Sequence, residues 1–148
     1  MGNVKKVMPY ENLILPKKLQ FIHVGKCGGS TISKLLDVSP VILNRYSSVY
    51  ESHVGGVAID SECDYLLCLR NPISRALSAF EWRKKLVLGD AHPNQVHRFS
   101  GEAGVLGSYG SLNNLARSLY SADGILQQSV ARDFELIHHL RESISFYL

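Results

Sequence analysis

Cysteine is scarce in this chain: three residues in 148, at Cys27, Cys63 and Cys68, with neither framework nor zinc-ligand spacing. That pattern excludes a disulfide-stapled secreted module and a zinc ribbon, and it predicts reduced thiols in a cytoplasmic protein. Cys63 and Cys68 read as small apolar residues near a strand. Long hydrophobic runs are also missing. Met1 to Leu19 are polar and lysine-containing, without the apolar core of a signal peptide, and no later segment has the length of a membrane span, so no membrane insertion is expected. Charge is nearly balanced, with 16 Lys+Arg against 13 Asp+Glu and a net charge of +3. So small an excess suits a small polyanion but does not argue for nucleic acid as a partner. No internal repeat occurs. No compact Asp/Glu/His set appears along the sequence, so no metal is expected. The nucleoside-triphosphate signature G-x-x-x-x-G-K-[ST] is absent too.

What the chain does have is Phe21-Ile22-His23-Val24-Gly25-Lys26-Cys27-Gly28-Gly29-Ser30-Thr31. The apolar start reads as a strand, the glycines as a tight turn, and Ile32 to Leu36 as the first turns of a helix. Amides at a helix start have no intrahelical acceptor and, with the helix dipole, favour an anion. Glycines allow close backbone approach and Lys26 adds a point charge. The segment is a candidate phosphate-binding loop, although the same residues also suit an ordinary strand-turn-helix junction.

A second unit follows. Asp64 to Leu69 form an apolar run of strand length, consistent with burial on both faces. Arg70-Asn71-Pro72 then opens a segment in which Ile73, Leu77 and Phe80 recur at helical spacing, predicting a helix from Pro72 to about Leu86. Arg70 falls at the carboxyl end of a strand, where open α/β sheets bind ligands. Arg75 reads as an ion-pairing or helix-packing residue. Phe80 and Trp82 read as core aromatics, and the run Arg83-Lys84-Lys85 as a solvated face.

Lysine followed by Gly28-Gly29-Ser30-Thr31 resembles the 5′-phosphosulfate loop of sulfotransferases that use 3′-phosphoadenosine 5′-phosphosulfate (PAPS). Arg70-Asn71-Pro72-x-x-Arg75-x-x-Ser78-x-Phe80 resembles their 3′-phosphate motif. The two lie about forty residues apart, in the family's order. The fuller phrase is similar to the carbohydrate sulfotransferase branch that contains the heparan 2-O enzymes and bacterial relatives. That branch usually has proline at Gly25 and threonine at Cys27. The resemblance implies a P-loop-like three-layer sandwich, with a parallel central sheet flanked by helices. It implies PAPS as cofactor, 3′,5′-adenosine bisphosphate as product, and transfer of a sulfuryl group to a hydroxyl, with a carbohydrate as acceptor. The cofactor would be held by Gly25, Lys26, Cys27, Gly28, Gly29, Ser30, Thr31, Arg70 and Ser78, without a metal. A catalytically silent or incomplete PAPS-binding homologue is the alternative.

Between the motifs, His53 lies in a polar segment beside Gly55 and Gly56. A neutral imidazole suits removal of a hydroxyl proton near pH 7. In the resembled branch a histidine followed by a hydrophobic residue, before the 3′-phosphate strand, is the base, and His53-Val54 matches. Lys26 is the expected electrostatic partner in the reaction. Glu51 is the second candidate for the base, or else orients His53. Of the remaining histidines, His23 reads as packed in the first strand, and His92, His97, His138 and His139 fall outside both motifs.

At 45% hydrophobic content, residues 1–148 read as one domain. Residues 87 to 111, rich in glycine, suggest a lid over the acceptor. A helix is predicted over Ser111 to Tyr120, with Ser111 as a candidate N-cap. In the resembled family the helix after this loop faces substrate, which implies Arg117 as an acceptor or cofactor contact. Another is predicted from about Ser129 to Ser143. Ile144 to Leu148 alternate like a strand. Members of the resembled family continue beyond such a point, which leaves two expectations: a minimal member, or a chain truncated at its C-terminus.

Overall fold

The computed structural model describes residues 17–53, 57–89 and 95–147. Val54, Gly55, Gly56, His92 and Leu148 therefore lie outside the described residues, as does most of the polar N-terminal segment. A parallel sheet has β1 (Lys18–Ile22) at its centre, with β2 (Ser48–Ser52) on one side and β3 (Cys63–Leu67) on the other. The register aligns Phe21 with Glu51 and with Leu66, so the turns that follow β1 and β3 leave the same end of the sheet. This is a mixed α/β fold with helices flanking a small sheet.

Alternation along β1 divides its side chains between two faces. Leu19 and Phe21 are buried with Leu36 of α1 (Gly29–Val38), and Ile42 of α2 (Pro40–Arg45) packs against them. Ile22 points the other way, into a cluster with Val24 and Tyr147. β3 is only half-buried along its whole length, unlike the doubly covered strand its apolar sequence predicts. Among the described residues it is a sheet edge, with a paired strand on one side only.

The largest core lies outside the sheet. It joins α3 (Pro72–Leu88) to α5 (Ser100–Tyr109), α6 (Leu112–Ser118), α7 (Gln128–Leu136) and Ile137 through Phe80, Val87, Leu106, Leu115 and Ile137. Asn71 caps α3: its side-chain oxygen accepts from the amides of Ile73 at 3.1 Å and Ser74 at 3.2 Å. Ser111 caps α6 in the same way through the Asn114 amide. The Ser111 cap matches the sequence expectation.

Three expectations for the second half are corrected. Residues 95–109 do not form a lid. The four-residue α4 (Gln95–Arg98) and α5 pack on α3, and Ala103, Val105 and Leu106 are core residues. The helix expected over 129–143 breaks at Ile137, whose backbone is extended, and restarts as α8 (His138–Arg141). Burial of the Ile137 side chain fixes the break. Ile144–Phe146 form a 3₁₀ turn rather than a strand, delivering Tyr147 to the sheet face.

Arg83 is also misread by its position in a basic run. Its side chain is 4% exposed, and it meets the 5% exposed Glu102 of α5 through a two-point contact, Nε to Oε1 at 2.7 Å and Nη2 to Oε2 at 2.5 Å. The guanidinium also stacks over Phe99 at 4.6 Å. Two desolvated charges compensate each other only as a pair. Glu102→Ala is therefore expected to destabilise the fold by about 3–5 kcal/mol, because it leaves Arg83 buried and unpaired. Replacing both, as Arg83→Met with Glu102→Leu, should recover most of that loss in denaturant titration; a double variant no better than the single one would count against a desolvation origin.

Candidate functional site

Beyond the carboxyl ends of β1 and β3 lies a cleft of about 450 Å³. Its floor is the segment from Gly25 to Thr31, excluding Cys27, and its walls are His23, His53, Arg70, Ser78, Trp82 and His139. Residues from both sequence motifs and the histidine between them thus face one space.

The loop that forms the floor is locally constrained. Lys26 has φ 64° and Gly28 φ 86°, both in the left-handed region. The first is uncommon for a residue with a Cβ, and such backbone persists where surrounding structure enforces it. Gly28 precedes α1 without a side-chain cap, leaving the amide end of that ten-residue helix open to an acceptor from outside. Gly29 is required for another reason. A Cβ there would lie 1.8 Å from the His23 ring, which packs directly on its backbone.

Gly25 is clamped. Its amide donates to the Tyr147 hydroxyl at 3.1 Å, and its carbonyl accepts from Arg75 Nε at 3.0 Å. A Cβ at this position would come within 2.9 Å of His139 Nδ1 and 3.1 Å of the Tyr147 oxygen. Proline at residue 25 would remove the donated hydrogen bond and crowd both side chains. Arg75, which the sequence assigns to packing or ion pairing, is a staple of the loop. Its Nη2 also approaches Glu142 at 4.0 Å.

Lys26 extends over Trp82, with Nζ 4.8 Å from the ring centroid. Partial burial, then the Arg70 charge, hold its pKa below the usual lysine value. The Arg70 effect reports neighbouring positive charges, whose repulsion a bound anion would relieve. Trp82 is not the core aromatic its sequence suggests. It is 40% exposed and lines the cleft, whereas Phe80 is fully buried.

His23 and His53 follow adjacent, in-register strands and bracket Glu51. Glu51 Oε1 lies 2.5 Å from His23 Nδ1 and 2.7 Å from His53 Nε2, while Ser33 Oγ donates to Oε2 at 2.5 Å. The Ser33 hydrogen bond, then the contacts to His23 and His53, outweigh desolvation and hold the Glu51 carboxyl below its ordinary pKa. It is a carboxylate at neutral pH, suited to orienting imidazoles. His53 is 62% exposed and its second nitrogen is not engaged by Glu51. His23, expected to be merely packed, lines the cleft. Its role was hidden because only strand register brings it beside Glu51.

Two other expected site residues lie elsewhere. Cys27 donates its amide to Val24 and lines a neighbouring, more apolar cleft of about 330 Å³ with Leu69, Pro72 and Arg75. Arg117 is exposed on α6 and does not line either cleft. His139 was missed entirely by local reading, since it is more than a hundred residues from the loop it touches.

His139 and Tyr147 both bond Glu142 Oε2, at 3.0 and 2.7 Å, and His138 Nε2 lies 3.1 Å from Oε1. Burial opposes the Glu142 charge, but these partners outweigh it and lower its pKa. Burial also lowers the pKa of His139, with Glu142 opposing in part. For both groups the unfolded chain binds more protons, so their contribution is full above the ordinary imidazole value and is lost as pH falls. Loss begins below about pH 6.5 and continues through the carboxylate range. His139→Gln should flatten the decline of Tm just below pH 6.5, and Glu142→Gln the decline at lower pH. Profiles parallel to wild type would show that this cluster does not couple to stability.

Compared with protein-family models, curated proteins and solved structures, the chain matches none of them.

Proposed function

We propose that this chain is a sulfotransferase that uses PAPS and acts on a hydroxyl, with a carbohydrate as the acceptor. The observation that carries the reading is convergence: Lys26, the Gly28–Thr31 turn, Arg70, Ser78 and His53 share one cleft although they come from three separate segments. The residues fit a bisphosphorylated nucleotide chemically. An uncapped helix start and Lys26 suit one phosphate. The Arg70 guanidinium and Ser78 hydroxyl, which line the same cleft, suit a second. When bound, PAPS supplies an activated sulfuryl group with a phosphate leaving group.

The remaining chemistry belongs to the protein. Lys26 and the first amides of α1 provide fixed positive potential where negative charge develops, which is electrostatic stabilisation without reorganisation. His53 holds the place of proton acceptor. Glu51 binds its Nε2, favouring the tautomer with a proton there and leaving Nδ1 to accept one from a hydroxyl. Glu51 itself is less suited to that role, because hydrogen bonds from Ser33 and His23 and the contact with His53 already stabilise its ionised form. The arrangement follows the general logic of a base oriented by a carboxylate.

Arg70→Ala should weaken 3′,5′-adenosine bisphosphate binding by about 1.5–3 kcal/mol, the scale of a lost charge-assisted contact. Adenosine 5′-phosphosulfate, which has no 3′-phosphate, should lose far less. Calorimetric titration of both ligands decides the point, and equal losses would make Arg70 a structural residue.

His53→Ala should leave nucleotide affinity nearly unchanged and lower the single-turnover rate at saturating PAPS by about 10²- to 10⁴-fold. An unchanged rate would remove His53 as the base.

A further inference from the structure

The histidine-carboxylate cluster beside the cleft has a chemistry beyond proton acceptance by His53. One ring nitrogen each of His23 and His53 and a carboxylate oxygen of Glu51 all lie within 4.8 Å of one another. The two imidazole rings are 4.1 Å apart between centroids and converge on the same carboxylate oxygen. Two imidazole nitrogens and one carboxylate oxygen form a donor set characteristic of zinc sites that keep an open position.

From this geometry we infer that His23, Glu51 and His53 form a three-ligand site for a borderline divalent transition metal such as Zn²⁺, with its open position facing the cleft. Ligands about 2.1 Å from a tetrahedral ion are ~3.4 Å apart, so each His–Glu pair opens by less than about 1 Å on loading. The exposed His53 ring has room to supply that movement. The strands fix the rest: His23 donates its amide to the Ser52 carbonyl at 2.9 Å, continuing the β1–β2 ladder to the ligands. Ser33 already bonds the other Glu51 oxygen, the kind of outer contact that orients a metal-binding carboxylate.

A second triad, His138, His139 and Glu142, has a similar composition but different surroundings. Arg75 lies 4.0 Å from Glu142, and Arg141 Nη2 lies 3.2 Å from His138 Nδ1. Tyr147 already donates to the same carboxylate. Two guanidinium groups and a fixed hydroxyl donor oppose a cation there.

Metal binding does not depend on the proposed sulfuryl transfer, but its consequence does. An ion on His53 Nε2 makes the ring a poor proton acceptor, so occupancy would arrest transfer.

Co²⁺ serves as the visible probe, titrated into the full chain without nucleotide. The expected result is saturable ligand-field absorption at one Co²⁺ per chain, displaced by Zn²⁺. Glu51→Gln and His53→Ala should each weaken binding by at least about tenfold, and His139→Ala should leave it unchanged. Circular dichroism identifies any variant that fails to fold, and exposed His53 provides the comparison should Glu51→Gln do so. No saturable absorption in wild type, equal affinity in the folded Glu51→Gln and His53→Ala variants, or loss in folded His139→Ala would each overturn the assignment. Titrating 3′,5′-adenosine bisphosphate into the same protein reads the nucleotide proposal separately, so either can fail alone.

Discussion

The backbone of Gly25 is held from both sides, by the Tyr147 hydroxyl on its N–H and by Arg75 on its carbonyl. Everything on the floor of the cleft follows from that grip. It sets where the chain leaves β1, and the next residue, Lys26, accepts a left-handed backbone conformation. The two clamping groups belong to distant elements, α3 and the C-terminal turn. Glu142 ties them together, bonding Tyr147 directly and lying 4.0 Å from Arg75. A loop made of glycines has a high entropic cost of ordering. Here tertiary contacts meet that cost, since the loop has little intrinsic rigidity.

The same arrangement accounts for the electrostatics. Lys26 and Arg70 line one cleft, Lys26 lies against an aromatic face, and Glu51 stands between two imidazoles that line the same cleft. Positive potential and a carboxylate-oriented imidazole sit side by side because adjacent parallel strands end together. Parallel pairing in register puts Ile22 opposite both Ser52 and Leu67. The residues that follow each strand then emerge on one rim, where ligands of open α/β sheets are found.

The helical half positions this rim without contributing most of its chemistry. α3 carries Ser78 and Trp82 to the cleft on one side, while Phe80, Arg83 and Val87 anchor the other side in the main core. The glycine-rich stretch before α6 looks like a loop because glycine lowers helix propensity. Burial of Ala103, Val105 and Leu106 against α3 overrides that weak preference. The Arg83–Glu102 pair then links α3 to α5 across that core.

What local sequence determined was the chemistry available and the elements that carry it. Two strand-turn-helix units, the cap at Ser111, and the phosphate-suited residues Lys26, Gly28, Gly29, Arg70 and Ser78 are all legible from spacing and residue type. Those signals act within a few residues, through backbone conformation and periodicity. Tertiary structure decided what no short window contains. It turned His23 from a strand residue into a neighbour of Glu51, brought Trp82 and His139 to the cleft, and turned Cys27 away. It also made Tyr147 the partner of a peptide more than a hundred residues upstream. The reason is physical: strand register and side-chain burial are set by contacts between distant segments, and a side chain's neighbours depend on which face those contacts turn inward.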